Sequence, residues 1–273
     1  MKGKIFIGTS GFAYPHWKGI FYPQDLSPKD WFSYYTKYFD TVELNVSFYR
    51  LPRKEAFASW RKKARKDFVF AIKGWRMITH IRKLRKCQEE IKKFFEAANG
   101  LKSQISNVKS QNQISNLKSK NLKTKDIVLW QLPPSLKFDS FRLANFLAML
   151  PGNWRYAFEF RHPGWGRKET WEILRKHKAA VVFQDFPGWP VFEEVTADFV
   201  YLRFHGKESL YSSCYTEKEL RDWAEKIKNW QKHSLDVYAY FNNDALGYAI
   251  ENAKRLILNV KSQISKPNLK SKI

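Results

Sequence analysis

Glu159 and Arg161 lie two residues apart in YAFEFR, Arg203 and His205 two apart in FVYLRFH, and Glu43 and Asn45 two apart in TVELN. Side chains alternate across an extended chain, so each pair shares one face of a strand. In YAFEFR the opposite face is the aromatic set Tyr156, Phe158 and Phe160. Lys73 in VFAIK, Gln131 in IVLWQL, Asp185 in AVVFQD and Asn242 in DVYAYFN end four more apolar runs with a polar group. Carboxylates and an imidazole so placed can move protons, and guanidinium or ammonium groups beside them can hold an anion. The candidate catalytic residues are Glu159, Asp185 and His205, with Arg161 or Lys73 positioned to separate the pKa values of the two carboxylates. The candidate substrate-binding residues are Lys73, Arg161 and Arg203 for the anion and Gln131, Asn242 and Asn243 for orientation. Glu43, Asn45 and Tyr211 complete that set. The same groups also suit an ion-pair lattice, because Glu43, Glu159 and Asp185 balance Lys73, Arg161 and Arg203.

The elements that must carry these residues are eight β-branched or aromatic runs: 5–9, 41–45, 69–73, 127–132, 156–161, 180–185, 199–205 and 236–242. Amphipathic stretches near 28–38, 53–65, 84–98, 139–150, 167–177, 216–232 and 244–256 separate them, with only a short connection after the sixth run. Asp139 and Thr216 read as N-caps. Strand and helix alternating eight times predicts an α/β protein, a single TIM-type (β/α)8 barrel over residues 1–258. Its active site belongs at the carboxyl ends of the strands, where every one of the polar residues above falls.

The chain has 273 residues, 44% hydrophobic and 17% aromatic, enough for one large core. Its formal charge is +23. Two lysine-bearing tracts without acids, an insert at about 101–125 and a tail at 259–273, share the unit K-S-Q-I-S-N-L/V and hold ten lysines; the remainder is still +13. They lack an apolar face to dock, so the residues 102–123 and 260–273 are expected to be dispensable for folding. Cys87 and Cys214 form no paired motif, which argues against a disulfide framework or a zinc module. The opening run is too short for a signal peptide and no stretch reaches a membrane span, so a cytoplasmic protein without a membrane partner is expected.

The blocks GTSGF, W-x-G-x-F-Y-P, VELN-x-SFYRLP, QLPPSLKFD, EFRHPGW, YLRFHG and YFNNDALGYA occur here in order. In these the chain resembles the DUF72, or YecE-like, family over about 1–258. The resemblance implies a TIM barrel and, because the family is one of unknown function, no reaction. From the residues themselves, the expected activity is acid/base and hydrolase-like chemistry on an anionic, ring-bearing small molecule or nucleic-acid fragment. The alternatives are a non-catalytic nucleic-acid binder using the basic surface, and a metal-dependent phosphoesterase with Glu43, Glu159, Asp185 and His205 as ligands. The even charge balance favours a mouth without a metal centre, and no cofactor is indicated. Further expectations are that the Thr9 and Ser10 hydroxyls of GTSG bind an anion and that His80 takes part. His162 is read either as a base or as a turn cap, and 206–215 as a lid. Trp17, Trp75, Trp165, Trp189, Tyr14, Tyr211 and Tyr215 are read as stacking walls.

Overall fold

The computed structural model describes residues 2–102, 126–186, 188–206 and 211–262. Eight parallel strands run β1 Ile5–Thr9, β2 Thr41–Leu44, β3 Val69–Lys73, β4 Ile127–Gln131, β5 Arg155–Glu159, β6 Ala180–Gln184, β7 Phe199–Phe204 and β8 Asp236–Phe241. They pair in the order β1-β8-β7-β6-β5-β4-β3-β2. The ring closes between β1 and β2 through a single bridge, Ser10 to Glu43. Elsewhere along this seam the Tyr35 hydroxyl stands in for the ladder. It receives the Thr9 N–H at 3.0 Å and donates to the Thr41 carbonyl at 3.1 Å. A side chain at Gly8 would meet that carbonyl at 2.4 Å, so only glycine leaves room for the hydroxyl.

The principal helices are α1 Trp31–Tyr35, α2 Val46–Tyr49, α3 Lys54–Lys63, α4 Gln88–Ala98, α5 Ser140–Met149, α6 Lys168–Lys176, α7 Glu217–Lys232 and α8 Tyr248–Lys261. Asp139 caps α5 by accepting the Arg142 N–H, and Thr216 forms a full capping box with Glu219 on α7. Between β6 and β7 no helix forms among the described residues. Side chains fall into two shells. Phe6, Val69, Ala71, Ile127, Leu129, Ala157, Ala180, Val182, Tyr201 and Tyr240 fill the barrel. The alternate residues, such as Ile72, Trp130, Phe158 and Phe183, pack outward on the helices. Inward parity is thereby fixed for every strand.

Two helix boundaries differ from the periodicity, each for a local reason. Lys83, Leu84 and Lys86 have φ of 49°, 64° and 44°, so α4 begins only after Cys87 and a π-helical turn, Met77–Ile81, precedes it. Gly247, at φ 76°, is the N-cap of α8, which starts four residues later than expected. The same helix ends at Lys261, past the expected barrel limit at 258. Leu256, Ile257 and Val260 prolong its apolar stripe onto the core. Lys228 Nζ donates to the carbonyls of Asn259 and Ser262 at 2.8 and 2.7 Å.

Residues 103–125 and 263–273, most of the insert and tail, lie outside the described residues. The insert leaves and rejoins the barrel at one place. Arg61 on α3 donates from Nε to the Leu101 carbonyl at 2.9 Å and from Nη2 to both Asp126 carboxylate oxygens at 2.8 and 2.7 Å. Pinned ends make a long connection cheap, since loop-closure entropy grows only logarithmically with length. Leu101 is buried and Lys102 lies over the Trp154 ring at 4.1 Å, so a deletion meant to spare the barrel has to begin at 103 rather than 102, and at the other end at 263 rather than 260. A chain ending at Ser262 is expected to keep the full-length melting temperature. One ending at Asn259, which loses Val260 and one of the two carbonyl acceptors of Lys228, should melt several degrees lower in a thermal scan.

Candidate functional site

Arg203, the fifth residue of β7, is buried to 1% exposure and sits between two carboxylates that are fully buried. Its Nη2 and Nε donate to Glu43 Oε1 and Oε2 at 2.8 and 3.0 Å, and its Nη1 to Glu159 Oε2 at 2.5 Å. The remaining capacity is filled by neighbours. Ser10 Oγ and the Tyr201 hydroxyl donate to Glu43 at 2.8 and 2.7 Å, while Gln131 Nε2 and Arg161 Nε both donate to Glu159 Oε1 at 2.7 Å. Burial alone would raise the Glu159 pKa, but the Arg203 and Arg161 guanidinium groups more than offset it and hold the carboxyl well below its usual range. Arg203 stays charged because Glu43 and Glu159 outweigh its own desolvation.

Three nitrogen-bearing groups stand beside this network. Lys73, the last residue of β3, is 9% exposed, forms no ion pair, and rests its Nζ on the Phe48 ring at 4.3 Å. Burial, reinforced by Arg203, lowers its pKa to about 7. His205 is fully buried. Its Nδ1 receives the Asn242 amide at 3.1 Å, which leaves the proton of the neutral ring on Nε2, and Nε2 has no partner among the described residues. Burial and then Arg203 keep the imidazole neutral. His80 packs edge-on against Phe48, and burial followed by Lys73 lowers its pKa to about 4. The rim over these groups is aromatic. Arg161 lies 4.6 Å from the Trp189 ring, and Phe186 and Tyr211 pack edge-on around His205 at 5.6 and 5.7 Å.

Residues 6–272 match the family model described as "Protein of unknown function DUF72". The chain belongs to the DUF72 family. The UPF0759 protein YunF of Bacillus subtilis is 23% identical over 286 residues, covering 93% of each chain. The UPF0759 protein YecE of Escherichia coli K12 is 24% identical over 276 residues, 90% of this chain and 89% of that one. Among solved structures, a DUF72 family protein of Thermotoga maritima superimposes with a TM-score of 0.79 at 28% identity, over 95% of this chain and all of that one. Another, from Enterococcus faecalis, shares the fold with a TM-score of 0.77 at 19% identity, over 98% of this chain and all of that one. The barrel architecture is thus common to the DUF72 proteins compared.

In this DUF72 chain the inward parity expected from sequence gathers Glu43, Lys73, Gln131, Glu159, Arg161, Arg203, His205 and Asn242 at one mouth. Asp185 is the exception. On β6 the inward residues are Ala180, Val182 and Gln184, so Asp185 belongs to the opposite face. There it accepts the His205 N–H at 2.8 Å and the Tyr215 hydroxyl, and burial raises its pKa. It lines a groove of about 400 Å³ against α7, outside the barrel, and forms no carboxylate pair with Glu159. Gln184 takes its inward place, with Nε2 on the Phe160 and Pro190 carbonyls. The four-ligand metal reading fails on the same geometry, and among the described residues no group of three or more His, Cys, Asp or Glu has the arrangement to hold a metal ion.

Other expectations also shift. Asn243 Nδ2 donates to the Ser213 carbonyl and Asn252 Oδ1, which ties the 211–215 loop to α8, while its buried Oδ1 has no partner among the described residues. Asn45 stands at the N-cap position of α2 without a side-chain capping bond, its Oδ1 buried and unpartnered. Tyr211 holds φ 61°, donates its N–H to the His205 carbonyl and offers its ring to the rim. The GTSG hydroxyls are used internally: Ser10 on Glu43, Thr9 on the Gly11 carbonyl at 2.6 Å. His162 is a cap, its Nδ1 accepting the Gly164 N–H. Trp17, Trp165 and Tyr215 are core residues, and four residues of the expected lid, 207–210, lie outside the described ones. Sequence reading gave Ser10 a different role and missed Gln184, Tyr201, Phe48 and Phe186. The first three carry the same signal as the others, inward parity near a strand end.

Arg203→Met strands two buried carboxylates and is expected to cost about 3 kcal/mol or more in urea unfolding at pH 7. Glu159→Gln, which leaves Arg203 on Glu43, should cost less, and the double variant should recover part of the loss in a double-mutant cycle. Lys73 is more acidic in the folded chain than in the unfolded one, so between pH 7 and its ordinary range the folded state binds fewer protons and stability rises with pH, by at most about 1.4 kcal/mol per unit. Lys73→Met should therefore show its greatest stability relative to the parent at pH 7 and lose that advantage by pH 10.

Proposed function

We propose that the barrel mouth is the active site of an enzyme that binds an anionic, ring-bearing small molecule or nucleic-acid fragment and transfers protons through His205. The observation that carries this reading is the unpartnered Nε2 of a fully buried histidine. An orphaned buried donor costs about 1–3 kcal/mol, a penalty that a ligand acceptor removes. Around it stand Arg161, whose Nη atoms are not needed for its bond to Glu159, and Lys73, whose ammonium has no counter-ion. An anion arriving here takes its place beside Arg161, with the Lys73 amine at its side. Phe186, Trp189 and Tyr211 supply ring faces at the same rim.

Within this site Glu43, Glu159 and Arg203 are positioning residues, since their mutual bonds leave neither carboxylate free to exchange a proton. His205 is the donor or acceptor, with Asn242 fixing its tautomer. Asp185, through the His205 backbone, fixes where that ring sits. The test is calorimetric titration with nucleoside 5′-monophosphates against the matching nucleosides. The monophosphates are expected to bind at least tenfold tighter and to lose at least tenfold in affinity in Arg161→Met and Trp189→Ala. Binding that survives both substitutions but vanishes when 103–125 and 263–273 are removed would instead favour a basic-surface nucleic-acid binder.

A further inference from the structure

We propose that Lys73 is a covalent amine nucleophile, and that the substrate of this site is an aldehyde or ketone carrying a phosphate or carboxylate. The inference rests on the anion-binding reading above and names the group the anion brings with it. Ion-pair and hydrogen-bond partners account for every other charged group at the mouth, but not for the Lys73 ammonium. It ends β3 on the inward face, is nearly buried, contacts the Phe48 ring, and forms no ion pair among the described residues. A lysine kept only to hold Glu43 or Glu159 would be paired with one of them. Instead Arg203 and Arg161 have taken both carboxylates, and their positive charges, together with burial, disfavour the ammonium form. The charged groups facing Lys73 are Arg203 on β7, Glu159 and Arg161 at the end of β5 and Glu43 on β2, and Lys73 in turn acts on His80. An amine that is substantially unprotonated at neutral pH in a dry, cationic site is what carbonyl addition needs.

The step balances without any co-reactant. The neutral Nζ adds to the carbonyl carbon, the carbonyl oxygen receives the hydrogens that nitrogen gives up, and one water leaves as a C=N bond forms to Lys73. Hydrolysis reverses it. His205, through its Nε2–H in the same electrostatic neighbourhood, is the group available to donate to the carbonyl oxygen, and Arg161 is the group available to the phosphate or carboxylate.

Three related probes test this with the full-length protein. Pyridoxal 5′-phosphate carries ring, anion and aldehyde, pyridoxal lacks the anion, and pyridoxine 5′-phosphate lacks the aldehyde. After borohydride reduction and peptide mapping, pyridoxal 5′-phosphate is expected to give one dominant adduct, on Lys73. Its rate should rise through a midpoint near pH 7 and be at least tenfold faster than with pyridoxal. Lys73→Arg should abolish that adduct, and Lys73→Met, which removes the buried charge altogether, serves as the second variant should the arginine not fit. Adducts spread over exposed lysines and unchanged in both variants, with pyridoxine 5′-phosphate still bound and displaced by Arg161→Met, would overturn the nucleophile and leave the anion site standing. Failure of pyridoxine 5′-phosphate to bind as well would overturn both.

Discussion

A guanidinium shared by two carboxylates at the centre of a closed barrel sets the terms for everything around it. Arg203 brings three hydrogen bonds to Glu43 and Glu159 where water does not reach. Desolvating three charges is costly, and the cost is recovered only because Ser10, Tyr201, Gln131 and Arg161 complete the coordination of both carboxylates. The bonds span β1, β2, β4, β5 and β7, so the network also acts as a clasp across strands distant in the chain. It lies where the ladder is weakest, since Glu43 forms the only bridge between β1 and β2 among the described residues.

That clasp dictates the chemistry available at the mouth. With Glu43 held by Arg203 and Glu159 by both Arg203 and Arg161, Lys73 is left with an aromatic ring for company. The positive field of Arg203 reaches His205 too, which stays neutral although it lies close to Glu159. An unpartnered imidazole donor and an uncharged-prone amine beside Arg161 are what support the proposal of an anion site, and the aromatic rim is what extends that proposal to flat ligands. The barrel fold, shared with the DUF72 proteins of Thermotoga maritima and Enterococcus faecalis, provides the mouth; the particular set of side chains gives it this polarity.

The opposite end of the barrel shows what a purely structural polar cluster looks like in the same molecule. Arg155 joins Asp236 and the Tyr238 hydroxyl, and Asp236 also accepts the Lys4 N–H. There each charged group has a partner of opposite charge. Arg61, likewise, is fully spent on Leu101, Phe68 and Asp126, and so turns the entry and exit of the insert into one fixed point. Unlike these two clusters, the mouth brings together an orphaned His205 Nε2 and a bare Lys73 ammonium; Trp130 Nε1 and Thr170 Oγ1 are orphaned too, but singly and in the outer shell.

Much of this was legible in the chain. Eight apolar runs with their separators gave the barrel, and period-two alternation assigned seven strand ends to the mouth, because a pleated strand leaves side chains no third direction. Caps at Asp139 and Thr216 were readable since they depend on a few adjacent residues. Asp185 was misplaced because an apolar run ending in Gln-Asp offers two polar residues of opposite parity, and only the register against β7 decides between them. The tracts GTSG and FNND likewise advertised polar atoms whose partners, Glu43 and the 211–215 loop, lie far away in sequence. Local pattern determines which face a residue takes, because the backbone's own geometry enforces it. Which of those residues is satisfied and which is left with a free proton or an unpaired charge was decided only when eight strands closed into a ring and three buried charges competed for the same few partners.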